Sequence, residues 1–164
     1  AKGVVWSTST EPTIALSTKT SNGSGSSNFT SSITGLAPVT KYYVRSYATN
    51  SGGTGYGAEV SFTTLAGLAV LTTSNATSIT ITSAILGGEV TNEGGAAVSE
   101  KGVVWNTLTA PTVSNNKQAT GTGLGAFTTS VTTLTRNTKY YVRTYAINAS
   151  GTSYGPEITF NTLP

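Results

Sequence analysis

Leu134-Thr135-Arg136-Asn137-Thr138-Lys139-Tyr140-Tyr141-Val142-Arg143 decides the architecture of this 164-residue chain. A leucine six residues ahead of a tyrosine that opens a β-branched and aromatic run fits a tyrosine corner. In that motif the phenol reaches back to an upstream backbone group and pins a crossover between two sheets. Leu36-Ala37-Pro38-Val39-Thr40-Lys41-Tyr42 sets the same corner in the first half of the chain. Leu36, Tyr42, Leu134 and Tyr140 are therefore read as structural residues of two corners.

The corner is one part of a longer repeat. Lys2-Gly3-Val4-Val5-Trp6 returns as Lys101-Gly102-Val103-Val104-Trp105, a step of 99 residues, and Tyr42 returns as Tyr140, a step of 98. A period near 100 residues marks repeated whole domains rather than a short solenoid unit. The predicted domains are 1–65 and 66–164. In the second, strands are expected near 69–74, 78–87, 99–106, 112–119, 126–133, 139–148 and 153–162. They are separated by turn signals such as Asn92-Glu93-Gly94-Gly95 and Asn148-Ala149-Ser150-Gly151. No stretch sustains an apolar period of 3.6, so the chain reads as all-β. Seven short strands in one repeat predict a two-sheet sandwich. The first copy begins one residue before its Lys-Gly-Val-Val-Trp, so it is expected to lack the counterpart of Gly67 to Glu100 and with it part of its core cover.

Composition narrows the chemistry. The sequence has no cysteine and no histidine, and its six acidic residues are all glutamates. Disulfides, thiolate chemistry, a Ser-His-Asp triad, histidine zinc sites and Asp-rich calcium loops are excluded. No catalytic residue, no metal ligand and no cofactor is assigned. The net charge of +3 comes from basic residues scattered singly, which argues against nucleic-acid binding. No apolar run approaches the ~20 residues a membrane-spanning helix needs.

The order of motifs then resembles a known family. After each corner come alternating apolar residues, Ala-x-Asn, a Gly turn and a last strand ending in Thr: Ala48, Asn50, Gly52, Gly53, Val60, Phe62 and Thr64, then Ala146, Asn148, Gly151, Ile158, Phe160 and Thr162. This resembles fibronectin type III domains. With Lys-Gly-Val-Val-Trp, Pro12-Thr13 or Pro111-Thr112, and Tyr-Tyr-Val-Arg, it is more specifically similar to fibronectin III-like repeats of large secreted and surface proteins of Gram-negative bacteria. The resemblance implies two tandem immunoglobulin-like β-sandwiches. It implies that copy one holds strands C, C′, E, F and G and lacks A and B, and that the protein is extracellular or cell-surface.

Alternation along the corner strand places Tyr42, Val44, Ser46 and Ala48 on one face and Tyr43, Arg45 and Tyr47 on the other. If the corner tyrosine points inward, Tyr43, Arg45, Tyr47 and their repeats Tyr141, Arg143, Tyr145 form an outward aromatic face, a candidate platform for surface glycans or a partner. Sheet-stabilising aromatic and cation-π pairs explain the same pattern. Trp6 and Trp105 are read as packing residues. Glu89, Glu93 and Glu100 have no counterparts in copy one and are not read as a glycosidase pair.

Two functions remain as expectations. One is a structural or adhesive module, with other copies of the chain or adjacent repeats as partners; its incomplete first domain is read either as cut from a longer array whose upstream strands are absent or as assembling into a filament by strand complementation. The other is a carbohydrate-binding or spacer module of a secreted polysaccharide-degrading enzyme.

Overall fold

The computed structural model describes all residues from Ala1 to Pro164. The chain folds as two compact units, Ala1–Leu65 and Ala66–Pro164, and every strand pair in both is antiparallel. No helix of the structure is long and apolar enough to cross a membrane.

Unit 1 is a single four-stranded sheet built on β1 (Lys2–Ser7), β2 (Lys41–Asn50), β3 (Gly53–Tyr56) and β4 (Val60–Thr63). β2 is central, with β1 on one edge and β3 and β4 both paired to it. Residues 18–23 run beside β1 through bonds such as Thr20 N to Val4 O (2.8 Å) and Trp6 N to Thr18 O (3.0 Å), but form only an isolated bridge, Val5 to Lys19.

Unit 2 adds β5 (Val70–Thr73), β6 (Ala84–Asn92), β7 (Glu100–Asn106), β8 (Asn116–Gly121), β9 (Gly125–Val131), β10 (Lys139–Asn148), β11 (Gly151–Tyr154) and β12 (Ile158–Asn161). One sheet runs β5-β6-β9 and the other β11-β10-β7-β8, with β12 also on β10. In sandwich lettering these are A-B-E and G-F-C-C′. Leu86, Val103, Val142, Tyr140 and Phe160 bury the main core between the sheets, and Leu71, Val90 and Ala146 close one end. The inward set of β10 is the one that alternation predicts.

Local chemistry moved several boundaries. Strand B, expected at 78–87, occupies Ala84–Asn92. Ser78 takes a left-handed φ of 48°, and the Thr80 hydroxyl accepts from the Ser83 amide at 3.0 Å, turning the chain where a strand was expected. Gly87-Gly88 reads as a strand end but lies inside β6, because a Cβ at Gly87 would stand 2.2 Å from the Phe127 carbonyl. C′, expected at 112–119, starts at Asn116, since Asn115 and Thr112 close a turn on each other (2.8 and 2.9 Å). The last strand is broken into β11 and β12 around Gly155-Pro156.

The largest departure is in unit 1. The resemblance implies an E strand in this unit, yet residues 27–33, which correspond to β9 in the repeat, form no strand. In unit 2, β9 pairs with β6 from Ala84↔Val131 to Val90↔Gly125. The corresponding segment of unit 1 has no B strand beside it, and no backbone amide from Asn28 to Gly35 donates a hydrogen bond. C′ fares little better there. The strands that unit 1 forms are C, F and a divided G.

Candidate functional site

Both corners close as hydrogen bonds. The Tyr140 hydroxyl accepts from the Thr135 amide at 2.9 Å, and the Tyr42 hydroxyl accepts from the Ala37 amide at 3.1 Å. Leu134 is buried beneath its corner, whereas Leu36 is half-buried. Each ring stacks on the phenylalanine opposite it in the last strand, Tyr140 on Phe160 (centroids 5.7 Å) and Tyr42 on Phe62 (6.0 Å). A threonine at each strand end, Thr162 or Thr64, accepts from the amide of Thr138 or Thr40 at 2.9 Å.

The outward Tyr-Arg-Tyr face does not assemble as a platform. Tyr145 is fully buried and Tyr47 is 7% exposed. Each lies against a glycine of the adjacent C strand, since Tyr145 is in register with Gly102 and Tyr47 with Gly3. A Cβ on Gly102 would come within 2.9 Å of the Tyr145 ring and 2.1 Å of the Gln118 carbonyl, so only glycine lets the ring lie flat. The Tyr145 hydroxyl donates to Glu100 Oε1 at 2.7 Å, while Tyr47 donates to the Thr20 carbonyl at 2.6 Å. The bond from Tyr145, with the ion pair to Lys117 at 2.9 Å, holds the Glu100 carboxyl below its ordinary value. Burial first, and then the carboxylate, push the Tyr145 phenol well above its ordinary range.

The arginines are engaged elsewhere. Arg143 lies over the Tyr154 ring at 4.5 Å and Arg45 over Tyr56 at 4.6 Å, and each Nε donates to a glycine carbonyl, Gly155 or Gly57. The tyrosine hydroxyls in turn accept from the amides of Val113 and Ile14. Tyr43 and Tyr141 remain half-buried under Lys41 and Lys139. Tyr56 and Tyr154 were not singled out from the sequence. Their signal was available as Tyr-Gly after each Gly turn, but nothing in the spacing says that the arginine eleven residues before the tyrosine meets both residues of the pair. Among the glutamates, Glu93 accepts from the Val98 amide at 2.8 Å and Glu100 is tied to Tyr145 and Lys117, roles internal to the fold.

The feature without a matching cover is the inner face of unit 1. In unit 2, Tyr140, Val142 and Phe160 are 6%, 0% and 7% exposed. Their repeats Tyr42, Val44 and Phe62 form the same surface on β2 and β4, yet Phe62 is 40% exposed and Val60 62%. An open cavity of about 640 Å3 lies on this face, lined by Val4, Phe29, Ile33, Val44, Val60 and Phe62. Segment 27–33 rims it, held by Lys2, whose Nζ donates to the Ser27 carbonyl at 2.6 Å beside the Phe29 ring. Lys101 makes the same joint in unit 2, with the Leu124 and Gly125 carbonyls and Phe127.

The three-plus-four order of unit 2, A-B-E over G-F-C-C′, with a closed tyrosine corner at the start of F, decides the fold class. It is a fibronectin type III-like sandwich. No family model matches the sequence, and no curated protein does. Solved structures similar to the chain include the FN1-FN3 domains of chicken CNTN1, with 16% identity over 99% of this chain and 56% of that one and a TM-score of 0.46. Another is the sixth fibronectin type III domain of human fibronectin type III domain containing protein 3, with 21% identity, 60% and 87% coverage and a TM-score of 0.44. A third is the sensor domain of the anti-sigma factor RsgI4 of Pseudobacteroides cellulosolvens, with 18% identity, 59% and 96% coverage and a TM-score of 0.43. The fold assignment rests on the strand order and the corner.

Proposed function

We propose that this chain is a structural segment of a secreted or cell-surface bacterial protein built from fibronectin III-like repeats, and that unit 1 is an acceptor for β-strands from outside its own 65 residues. The observation that supports this is the contrast between identical residues: Phe160 is 7% exposed under the A-B-E sheet, and Phe62 is 40% exposed without one. An exposed apolar sheet face rimmed by a segment with free amides is the surface on which strand addition works, main-chain bonds supplying affinity and alternate side chains supplying selectivity.

The strands that cover unit 1 have the order of A and B in unit 2 and are supplied from outside residues 1–65. The glycan-platform reading has less support, because Tyr47 and Tyr145 are buried and Arg45 and Arg143 are engaged by tyrosines.

Hydrogen exchange on the intact chain, with light scattering over a dilution series, tests the reading. The expected result is fast exchange at Asn28–Gly35 and slow exchange at Gly125–Val131, with unit 1 gaining protection only where the chain associates. Equal protection of the two segments in a dilution-stable monomer would show that unit 1 is closed as it stands and accepts nothing.

A further inference from the structure

Resting on the reading of this chain as a structural segment, and not on the openness of unit 1, we propose that the stretch between strands C and C′ of each unit is a strap that stops the last strand from sliding when the chain is under tension. Glu157 in unit 2 and Glu59 in unit 1 are its fastening points.

In unit 2 the chain enters and leaves at opposite ends of β10. Asn148 Nδ2 donates to the Gly67 carbonyl at 2.9 Å where the chain enters, and Lys139 is in register with Asn161 where it leaves. Tension along the chain therefore runs parallel to β10 and drags β12 along its own axis. The ladder that opposes it is short. β11 and β12 have four residues each, and the gap between them holds Pro156, which has no amide to donate. A slip of two residues returns every side chain to its own face and re-forms ladder bonds in the new register, so the ladder alone opposes sliding weakly.

Side chains outside the ladder fit one register only. The sheet order places β10 between β7 and the last strand, so residues 107–115, which start from β7, pass over β10 to reach that strand. There the Tyr154 hydroxyl accepts from the Val113 amide at 3.1 Å. Glu157, one residue before β12, accepts from the Ala110 amide and from the Thr109 hydroxyl at 3.0 Å. Arg143 Nε donates to the Gly155 carbonyl, inside the gap, at 3.1 Å. Pro111 of the strap and Val104, which is in register with Arg143, are fully buried. Unit 1 repeats the arrangement: Tyr56 accepts from the Ile14 amide at 3.0 Å, Glu59 accepts from the Glu11 amide, and Pro12 and Val5 are buried. Ala110 and Glu11, the residues whose amides meet the glutamates, hold left-handed φ angles of 56° and 53°. Non-glycine residues seldom keep that conformation unless their surroundings impose it, so strain sits in both units at the fastening point.

The test holds the full chain by its two ends in optical tweezers and times the unfolding of unit 2, the longer unit and so the larger extension step, at constant force. Unforced unfolding rates in urea are measured on the same proteins. Glu157 is exposed, and Glu157→Ala is expected to speed forced unfolding at least tenfold but unforced unfolding less than threefold. Glu157→Gln, which keeps one acceptor oxygen, should fall between Glu157→Ala and the native chain. Glu59→Ala should leave the unit 2 step unchanged. Equal acceleration with and without force would make Glu157 a plain stabilising contact and overturn the proposal, as would an unchanged rate under force. None of these results bears on whether unit 1 takes strands, which hydrogen exchange at Asn28–Gly35 decides separately.

Discussion

Phe160 and Phe62 occupy the same place in the repeat and differ by about a third in exposure, so truncating each to alanine measures the missing cover. A phenylalanine presents roughly 200 Å2, and a third of that is about 65 Å2. At ~25 cal/mol per Å2 the difference in lost burial is about 1.6 kcal/mol. Phe160→Ala also leaves an enclosed void, bringing its cost to about 3–5 kcal/mol. Phe62→Ala opens no enclosed void because the site already faces solvent, and about 1–2 kcal/mol is expected. Opening free energies from amide exchange read each unit separately, from Val44 and Ser46 in β2 and from Val142 and Thr144 in β10. Losses equal to within about 0.5 kcal/mol would refute the reasoning, because unit 1 would then bury its core as fully as unit 2. If a strand pair is supplied, the Phe62→Ala cost in the complex should rise toward the Phe160→Ala value.

Other outcomes are equally specific. Gly102→Ala places a methyl 2.1 Å from the Gln118 carbonyl, so β7-β8 pairing should be lost at a cost of about 3 kcal/mol or more, seen as loss of amide protection in Asn116–Gly121. Tyr140→Phe strands the Thr135 amide and should cost about 1–2 kcal/mol by urea unfolding, while Tyr42→Phe should cost less, because water reaches the exposed Ala37. Glu100 titrates below its ordinary 4.5 in the folded chain, so its bonds contribute stability above pH 4.5 that is lost as pH falls through the folded value. Glu100→Gln should therefore lower Tm at neutral pH, with the difference from the native chain shrinking in acid. Tyr154→Leu should free Arg143 and the Val113 amide, read as faster exchange at Val113 with little change in β10.

How much was legible follows from what each signal depends on. The corners, the repeat and the alternation of β10 are local, and Tyr140 and Val142 fall where period-two reasoning puts them. Burial of Tyr145 is not local: it requires knowing that Gly102 sits across the ladder, a register of 43 residues' separation in sequence. The strand expected to end at residue 87 runs on through Gly87-Gly88 to Asn92, because close backbone approach demands glycine in its middle. Segment 27–33 has strand-forming residues such as Phe29 and Ile33 yet makes no strand, since β-propensity is realised only against a neighbour.

The lysine of each Lys-Gly-Val-Val-Trp motif, Lys2 or Lys101, is 6% exposed and meets carbonyl oxygens and a phenylalanine ring, with no carboxylate partner. A joint of that kind has no counter-charge for dissolved ions to shield. Surface ion pairs such as Lys117 with Glu100 weaken as ionic strength rises, but the clasp between strand C and segment E should hold from fresh water to brine. A repeat fastened in this way keeps its rim in place in whatever salinity surrounds it.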